Sequence, residues 1–253
     1  MRSSVVAAVF SFAVAVSGHG VLLAIDGEPG SKTSVGFEVD DSVARNCTGI
    51  SPCQQDTTII REAEITAKTV GFCGRTQLAG PLDTQKEVEE AVKADSITEV
   101  KGGTSLAIKI HQVNADGGGP YICDMNESAD DNGQAKELVV SNNVPGANGF
   151  SEAKFEAFTI NVAMPDNFKC TGGSTKDLCI IRCRNNALAG PFGGCTAVRQ
   201  PGGGGAGGDN NNAAGNKNNN NKAAGNNKKA GNEDKKKGAR GLTLKWARRA
   251  LGF

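Results

Sequence analysis

The sequence predicts a mainly β fold: an immunoglobulin-like antiparallel β-sandwich tied by disulfides, with one short helix and long loops. Three observations carry this expectation. Segments of strand character recur at 21–25, 34–39, 105–111, 137–140, 155–163, 178–183 and 196–199. Gly, Pro, Asn and Asp clusters such as 114–120 and 143–146 separate them, which is turn chemistry. Eight cysteines follow an export-type leader, the usage of a chain stabilised in an oxidising compartment.

The leader comes first in the chain. Met1-Arg2 precedes an apolar run from 5 to 16 with small residues beyond it, so residues 1–18 read as a signal peptide. The run is shorter than the roughly 20 apolar residues of a membrane-spanning helix, and no later segment fills that role. A secreted, extracellular or cell-wall-associated protein is therefore expected. Val16 and Gly18 suit a cut before His19, whereas Ala13 and Ala15 form an A-x-A site that leaves Val16-Ser17-Gly18 ahead of the histidine.

Residues 19–199 are expected to form the β-sandwich domain, about 181 residues with enough apolar surface for one core. The 21–25 and 34–39 segments open it. Thr84-x-x-Glu87 is a capping box followed by Val88, Ala91 and Val92 at helical spacing, which places the helix there. Residues 105–110 alternate as a half-buried strand that ends at His111, before a glycine-rich loop. The cysteines, Cys47, Cys53, Cys73, Cys123, Cys170, Cys179, Cys183 and Cys195, make four disulfides of open connectivity. Cys179 and Cys183 stand four residues apart on one strand, roughly 13 Å, beyond the about 7 Å that a disulfide spans, so they take different partners. A zinc cluster is disfavoured because no C-x-x-C occurs. Asn46 and Asn126 head N-glycosylation sequons, which point to surface loops.

Charge divides the mature chain. From 19 to 199 there are 16 Lys and Arg against 24 Asp and Glu, a net charge of −8; from 200 to 253 there are 11 against 3, a net charge of +8. Residues 200–238 are a Gly/Asn/Lys-rich linker too poor in apolar residues to fold. Residues 239–253 read as a basic amphipathic tail, with Leu244, Ala247 and Leu251 on one side, either suited to an anionic surface or a solvated end of the chain. Nothing in the chain points to a nucleic-acid partner. Adjacent carboxylates such as Asp40-Asp41 and Asp130-Asp131 read as solvated loops, not as the opposed pair of a glycosidase.

The chemistry centres on two histidines, His19 and His111, the only two in the chain. Cleavage before His19 would free an α-amine beside its imidazole Nδ1. Those two nitrogens and one from His111 would form a three-nitrogen set of the kind copper(II) favours. A first strand at 21–25 would bring the amino terminus to the loop after His111.

Residue patterns extend this reading. The His19-Gly20 opening, His111 before Gly119-Pro120-Tyr121, and Phe192 three residues before Cys195 resemble lytic polysaccharide monooxygenases. That resemblance implies a histidine brace with His19 and His111 as metal ligands for copper and Phe192 on the axial side as a catalytic-site residue that limits access. Tyr121, the single Tyr and the one such ring near these residues, reads either as a substrate-contacting ring or as a packed sandwich residue. The chain lacks the Gln-x-Tyr of the cellulose-active enzymes. A resemblance over most of 19–200 is to the appressorium-associated (MAS-type) virulence-factor family of pathogenic fungi. It rests on His19-Gly20, on His111 with the Asp116-Gly117-Gly118-Gly119-Pro120-Tyr121-x-Cys123 run, and on Cys183-Arg184-Asn185 leading to Ala189-Gly190-Pro191-Phe192-Gly193-Gly194. It implies a secreted surface protein of host-penetrating cells. Two functions follow as expectations: a copper-dependent oxidase of a wall polysaccharide such as chitin, β-glucan or a host wall polymer, or a non-catalytic copper-binding or adhesive wall protein.

Overall fold

The computed structural model describes residues 19–47 and 50–202. The leader expected at 1–18, the linker beyond 202 and the tail at 239–253 lie outside the described residues. In chain order the elements are β1 (Gly20–Asp26), β2 (Ser34–Val35), α1 (Ile50–Cys53), β3 (Thr58–Ile59), α2 (Glu62–Thr66), β4 (Arg75–Thr76), β5 (Gly80–Pro81), α3 (Thr84–Ala94), β6 (Thr98–Glu99), β7 (Ser105–Gln112), β8 (Ile122–Asn126), β9 (Ala135–Ser141), β10 (Glu156–Ala163), β11 (Leu178–Arg184) and β12 (Phe192–Arg199).

These strands form one continuous sheet in the order β2-β1-β7-β10-β9-β8-β11-β12-β3-β4-β5, antiparallel except for β6, which pairs parallel with β12. The corner is β9. Its residues 139–141 pair with β10 and its residues 135–138 with β8, so the sheet folds over on itself. Leu22, Ile25, Leu106, Ile108 and Ile110 from one half meet Cys123, Met125, Ile181 and Val198 from the other in the main core. The alternation read in the sequence explains the inward face of β7: Leu106, Ile108 and Ile110 are buried, while Ser105 and Lys109 are exposed. A second core lies on the opposite face of β11 and β12, where Leu178, Ile180 and Ala197 meet Phe37, Phe72, Leu82 and Val88. Buried on both faces, β11 has an apolar run with little alternation.

Four disulfides tie the fold: Cys47–Cys53, Cys73–Cys195, Cys123–Cys183 and Cys170–Cys179. Cys179 and Cys183 take different partners, as their strand spacing requires.

Several elements differ from expectation. The 34–39 segment gives only a two-residue strand, because the chain turns after Val35 and Phe37 donates its N–H to the Cys195 carbonyl. Conversely, β12 begins at Phe192 and runs through Gly193 and Gly194, which the turn rules assign to a loop. Both glycines are there for close approach. A Cβ on Gly193 would lie 1.9 Å from the Cys183 carbonyl oxygen, and one on Gly194 would lie 2.9 Å from Cβ of Leu22. Sequence analysis missed β8, whose buried residues include Asp124 and Asn126 and hide any alternation.

The helix stands where it was placed, but Asp83, not Thr84, is its cap, accepting from the Lys86 N–H. Thr84 instead donates to Asp131. Glu87 is therefore not a capping-box partner. It is buried against Glu38, and desolvation followed by the Glu38 charge pushes its carboxyl up to about 7, Glu90 adding to the rise. Lys86 Nζ, 3.5 Å from Glu87 and 3.8 Å from Glu38, acts in the opposite direction. Between pH 4.5 and about 7 the folded chain thus holds a proton that the unfolded chain has released, so stability falls as pH rises through that window. Glu87→Gln should flatten this dependence and raise stability at pH 8 by about 1–3 kcal/mol. Denaturant unfolding at pH 5 and pH 8 checks it; equal pH slopes in the two proteins would refute the assignment.

Candidate histidine site

The site is built where β1 begins. In the β1–β7 ladder Gly20 faces Gln112 and Val21 faces His111, and Val113 donates its N–H to the His19 carbonyl at 2.9 Å. The same register puts His19 opposite Val113. Because side chains alternate along a strand, His19 and Val21 share the side of His111 and Val113, away from the core side of Leu22 and Ile110. The two histidines are diagonal cross-strand neighbours, a spacing of about 7–8 Å in a regular ladder. Among the described residues, no three His, Cys, Asp or Glu side chains are gathered as a metal site. A metal shared by these histidines would need a further donor from the backbone.

His19 is buried. Its backbone N–H donates to Oδ1 of Asn114 at 2.7 Å, and its ring lies against Phe192, centroid to centroid 4.5 Å with the planes tilted by 44°. Burial lowers its pKa to about 4, so the imidazole is neutral at neutral pH. Its Nδ1 is buried with no hydrogen-bond partner. His111 is half-buried, with Nε2 3.4 Å from the Arg45 carbonyl oxygen, and burial is the main cause holding its pKa below the usual histidine range. Arg45 belongs to the segment between β2 and β3. Its guanidinium clasps Asp56 at 3.0 and 2.5 Å, and that fully buried carboxylate also accepts the Asp40 N–H.

The loop after β7 closes the site from below. A short 3-10 turn, Ala115–Gly117, packs on β1 so tightly that a Cβ on Gly117 would lie 2.3 Å from the His19 carbonyl oxygen. Asp116 in this turn has a buried Oδ2 without a hydrogen-bond partner, and burial raises its carboxyl pKa. Asn185, just past β11, joins this loop to Phe192. Its Nδ2 donates to the carbonyls of Asp116 and Gly118 at 2.7 and 2.9 Å, and its Oδ1 accepts from the N–H groups of Phe192 and Ala187. Asn185→Ala should cost about 2–4 kcal/mol, since it leaves buried main-chain groups unpaired. Asn185→Asp should be at least as harmful, since it puts a buried carboxylate oxygen against the two carbonyls that Nδ2 now serves. Unfolding curves of the three proteins test this, and a loss below 1 kcal/mol in the alanine variant would contradict it.

Of the sequence-predicted residues, His19 and Phe192 are in ring contact, and His111 is on the neighbouring strand. Tyr121 does not face outward. It is 1% exposed, packed in the main core beneath Gly20, with its hydroxyl donating to the Gly117 carbonyl at 3.1 Å. Of the two roles open to it, Tyr121 thus takes the packed one, supporting the loop beneath His19 in place of a substrate contact. Asn126 is corrected as well. It is fully buried, its Nδ2 donates to the Asp130 carbonyl, and its Oδ1 accepts from Ser128 and Ala129, so a glycan on that nitrogen is incompatible with the fold. Asn46 is exposed. Asp116 and Asn185 stand inside the runs that carry the family resemblance, yet neither their roles nor that of Asn114 is legible there, because turn-forming residues look alike in sequence. A polar cavity of about 420 Å³ between α3 and the 171–176 loop, lined by Gln85, Glu89, Ser128, Asp130 and Ser174, contains none of the histidine-site residues.

Comparison with known proteins converges on one group. The chain is 32% identical over 208 residues to the appressoria-specific virulence factor GAS1 of Pyricularia oryzae, covering 79% of this chain and 78% of that protein. It is 29% identical over 245 residues to the appressoria-specific virulence factor GAS2 of the same fungus, covering 73% of this chain and 84% of the relative. No solved structure matches. Residues 17–193, which hold both histidines, Asn185 and Phe192, match the family described as Egh16-like virulence factor. With that match spanning most of the chain and all of the histidine site, the protein belongs to the Egh16-like virulence factor family.

Proposed function

We propose that this protein is a secreted, virulence-associated surface protein of a host-penetrating fungus, and that His19 and His111 form a copper histidine brace directed at wall polysaccharide. Relatives described as appressoria-specific virulence factors support the setting. The observation that carries the copper reading is Nδ1 of His19, a buried nitrogen with no hydrogen-bond partner. Such atoms are rare in folded proteins and call for a ligand or a reason. The residues present suit the metal. Burial keeps the His19 imidazole neutral, which ligation requires, and His111 lies on the adjoining strand on the same side. Release of the α-amine by cleavage before His19 would supply the third nitrogen. Bound there, copper would supply one-electron chemistry toward dioxygen or peroxide. The chain's own part is to hold the rings: Asn114 and the 115–117 turn fix His19, the Arg45 carbonyl faces His111, and Phe192 covers one face of His19 and keeps water from it.

The second reading is a non-catalytic copper-binding or adhesive wall protein. Burial of His19, 6% exposed, favours it by restricting the approach of a polymer to the metal, and the inward position of Tyr121 leaves no ring there for a sugar to stack on.

Copper titration of protein processed at His19, followed by electron spin resonance, tests the shared claim. One Cu(II) with a tetragonal signature is expected. His111→Ala should weaken binding by more than the roughly 10–100-fold that loss of a merely supporting group costs. Identical titrations of His111→Ala and wild type would overturn the brace. Incubation of copper-loaded protein with chitin, β-glucan and cellulose, a reductant and peroxide then separates the readings. Oxidised oligosaccharides that vanish in His19→Ala establish the oxidase; none on any polymer, with copper bound tightly, establishes the non-catalytic role.

A further inference from the structure

Three loops meet at the end of the sandwich that holds His19: 113–121, 142–155 and 185–191. The stretches of them that touch, 117–121, 142–151 and 185–191, are uncharged in a domain of net charge −8, with Asp116, Glu152 and Lys154 just outside them. They are fused backbone to backbone. Gly119 donates to the Pro145 carbonyl at 3.1 Å, Gly149 donates to the Gly119 carbonyl at 3.1 Å, and Asn185 clasps the Asp116 and Gly118 carbonyls. A Cβ on Gly149 would lie 2.3 Å from the Ala187 nitrogen, so the second and third loops touch through main chain. The first loop adjoins His19 through Gly117, and the third leads into Phe192.

What this cluster shows to solvent is unusual. Leu188 is 104% exposed and Phe150 is 52% exposed, each one residue beyond the Ala187–Gly149 contact. On the same two loops the exposed amides of Asn148 and Asn186 stand 3.5 Å apart, Nδ2 of Asn186 toward Oδ1 of Asn148. An apolar side chain left wholly in water at a loop tip gains free energy when a partner covers it. The loops beneath are held by main-chain hydrogen bonds, so the tip is presented on a fixed base.

We infer that this amide-and-apolar face docks an uncharged polysaccharide chain, with Leu188 and Phe150 against the C–H faces of its sugar rings and Asn148 and Asn186 bonded to its hydroxyl or acetamido groups. The chemistry selects the class of partner. A charged polymer or an anionic membrane would call for opposite charges at the contact, and the four residues of this face, Asn148, Phe150, Asn186 and Leu188, carry none. A β-linked neutral glycan offers what the face offers in return, apolar ring faces edged with hydrogen-bonding groups. The inference rests on the wall-polysaccharide part of the reading above and not on copper.

The experiment is retention of metal-free, full-length secreted protein on insoluble chitin and β-1,3-glucan, with polygalacturonate and phosphatidylcholine vesicles in parallel, at 0.1 and 1 M NaCl. At 1 M salt the Debye length is about 3 Å, so attraction through the basic C-terminal residues is suppressed. Wild type should be retained on a neutral polymer at both salt concentrations, and Leu188→Asp and Phe150→Asp should each lower that retention at least about tenfold. Their melting temperatures and copper titrations should match wild type, since both side chains are exposed. Equal retention of variants and wild type on a neutral polymer would overturn this surface while leaving the wall-polysaccharide reading intact. Retention only on polygalacturonate, lost at 1 M salt, or only on vesicles, would overturn both. Neither result bears on copper, which is titrated separately.

Discussion

Replacing Arg182 by alanine is expected to lower stability by about 3–5 kcal/mol, because it strands a buried charge. Arg182 lies on β11, 4% exposed, where it donates to both carboxylate oxygens of Asp124 on β8 at 2.9 and 2.7 Å. It also donates to the Phe72 carbonyl at 2.9 Å, and its guanidinium carbon stands 3.9 Å from the centre of the Phe72 ring. One side chain thus joins two strands to the 72–73 segment. Asp124→Ala should be about as harmful, leaving the guanidinium without its counter-charge. An Arg182→Met/Asp124→Leu double variant should regain most of the loss, since no unpaired charge remains. For a domain of this size the single variants should melt roughly 10 °C lower. Additive single and double losses would contradict coupling between the two residues.

The second large effect concerns the longest disulfide ring. Cys73–Cys195 closes a sequence separation of 122 residues and joins the 71–74 turn to β12, whereas Cys47–Cys53 closes only 6. In the chain-entropy account the long ring contributes about 5 kcal/mol and the short one about 2. Cys73→Ala/Cys195→Ala should therefore cost more than twice as much as Cys47→Ala/Cys53→Ala when unfolding is followed by denaturant. Both cysteines of the long ring are fully buried in the second core, so the lost packing adds to the difference. Equal losses in the two variants would show that ring size is not what counts here. The short bridge matters for another reason: it lies in the segment whose Arg45 carbonyl reaches His111.

Much of this was legible in the chain itself. Period-two alternation at 105–110 revealed β7 and its inward face, and strand spacing ruled out a Cys179–Cys183 bond. The opening His19-Gly20, the position of His111 at a strand end, and the run from Cys183 to Gly194 were enough to identify the family, and they included the His19–Phe192 pair that meets in ring contact. These signals are local or nearly so: they depend on which face of a strand a residue occupies, or on a short run of adjacent residues.

Other features were decided only by tertiary structure. Gly193 and Gly194 read as a turn, yet they are strand residues because β11 and β1 come too close for a side chain. Asn126 reads as a surface sequon, yet it is buried because its amide satisfies the backbone of the loop that follows it. Tyr121 reads equally as a substrate ring or a packed one, and only the structure shows it facing the core under Gly20. The Cys73–Cys195 and Cys123–Cys183 bridges, the Glu38–Glu87 contact and the Arg182–Asp124–Phe72 cluster join residues 49 to 122 positions apart. Composition and spacing determined that this chain makes a disulfide-tied β fold and carries two histidines in a pattern suited to one site. Which face each polar residue took was settled by long-range packing, because a buried donor or acceptor finds its partner in space and leaves no mark of that partner in the sequence around it.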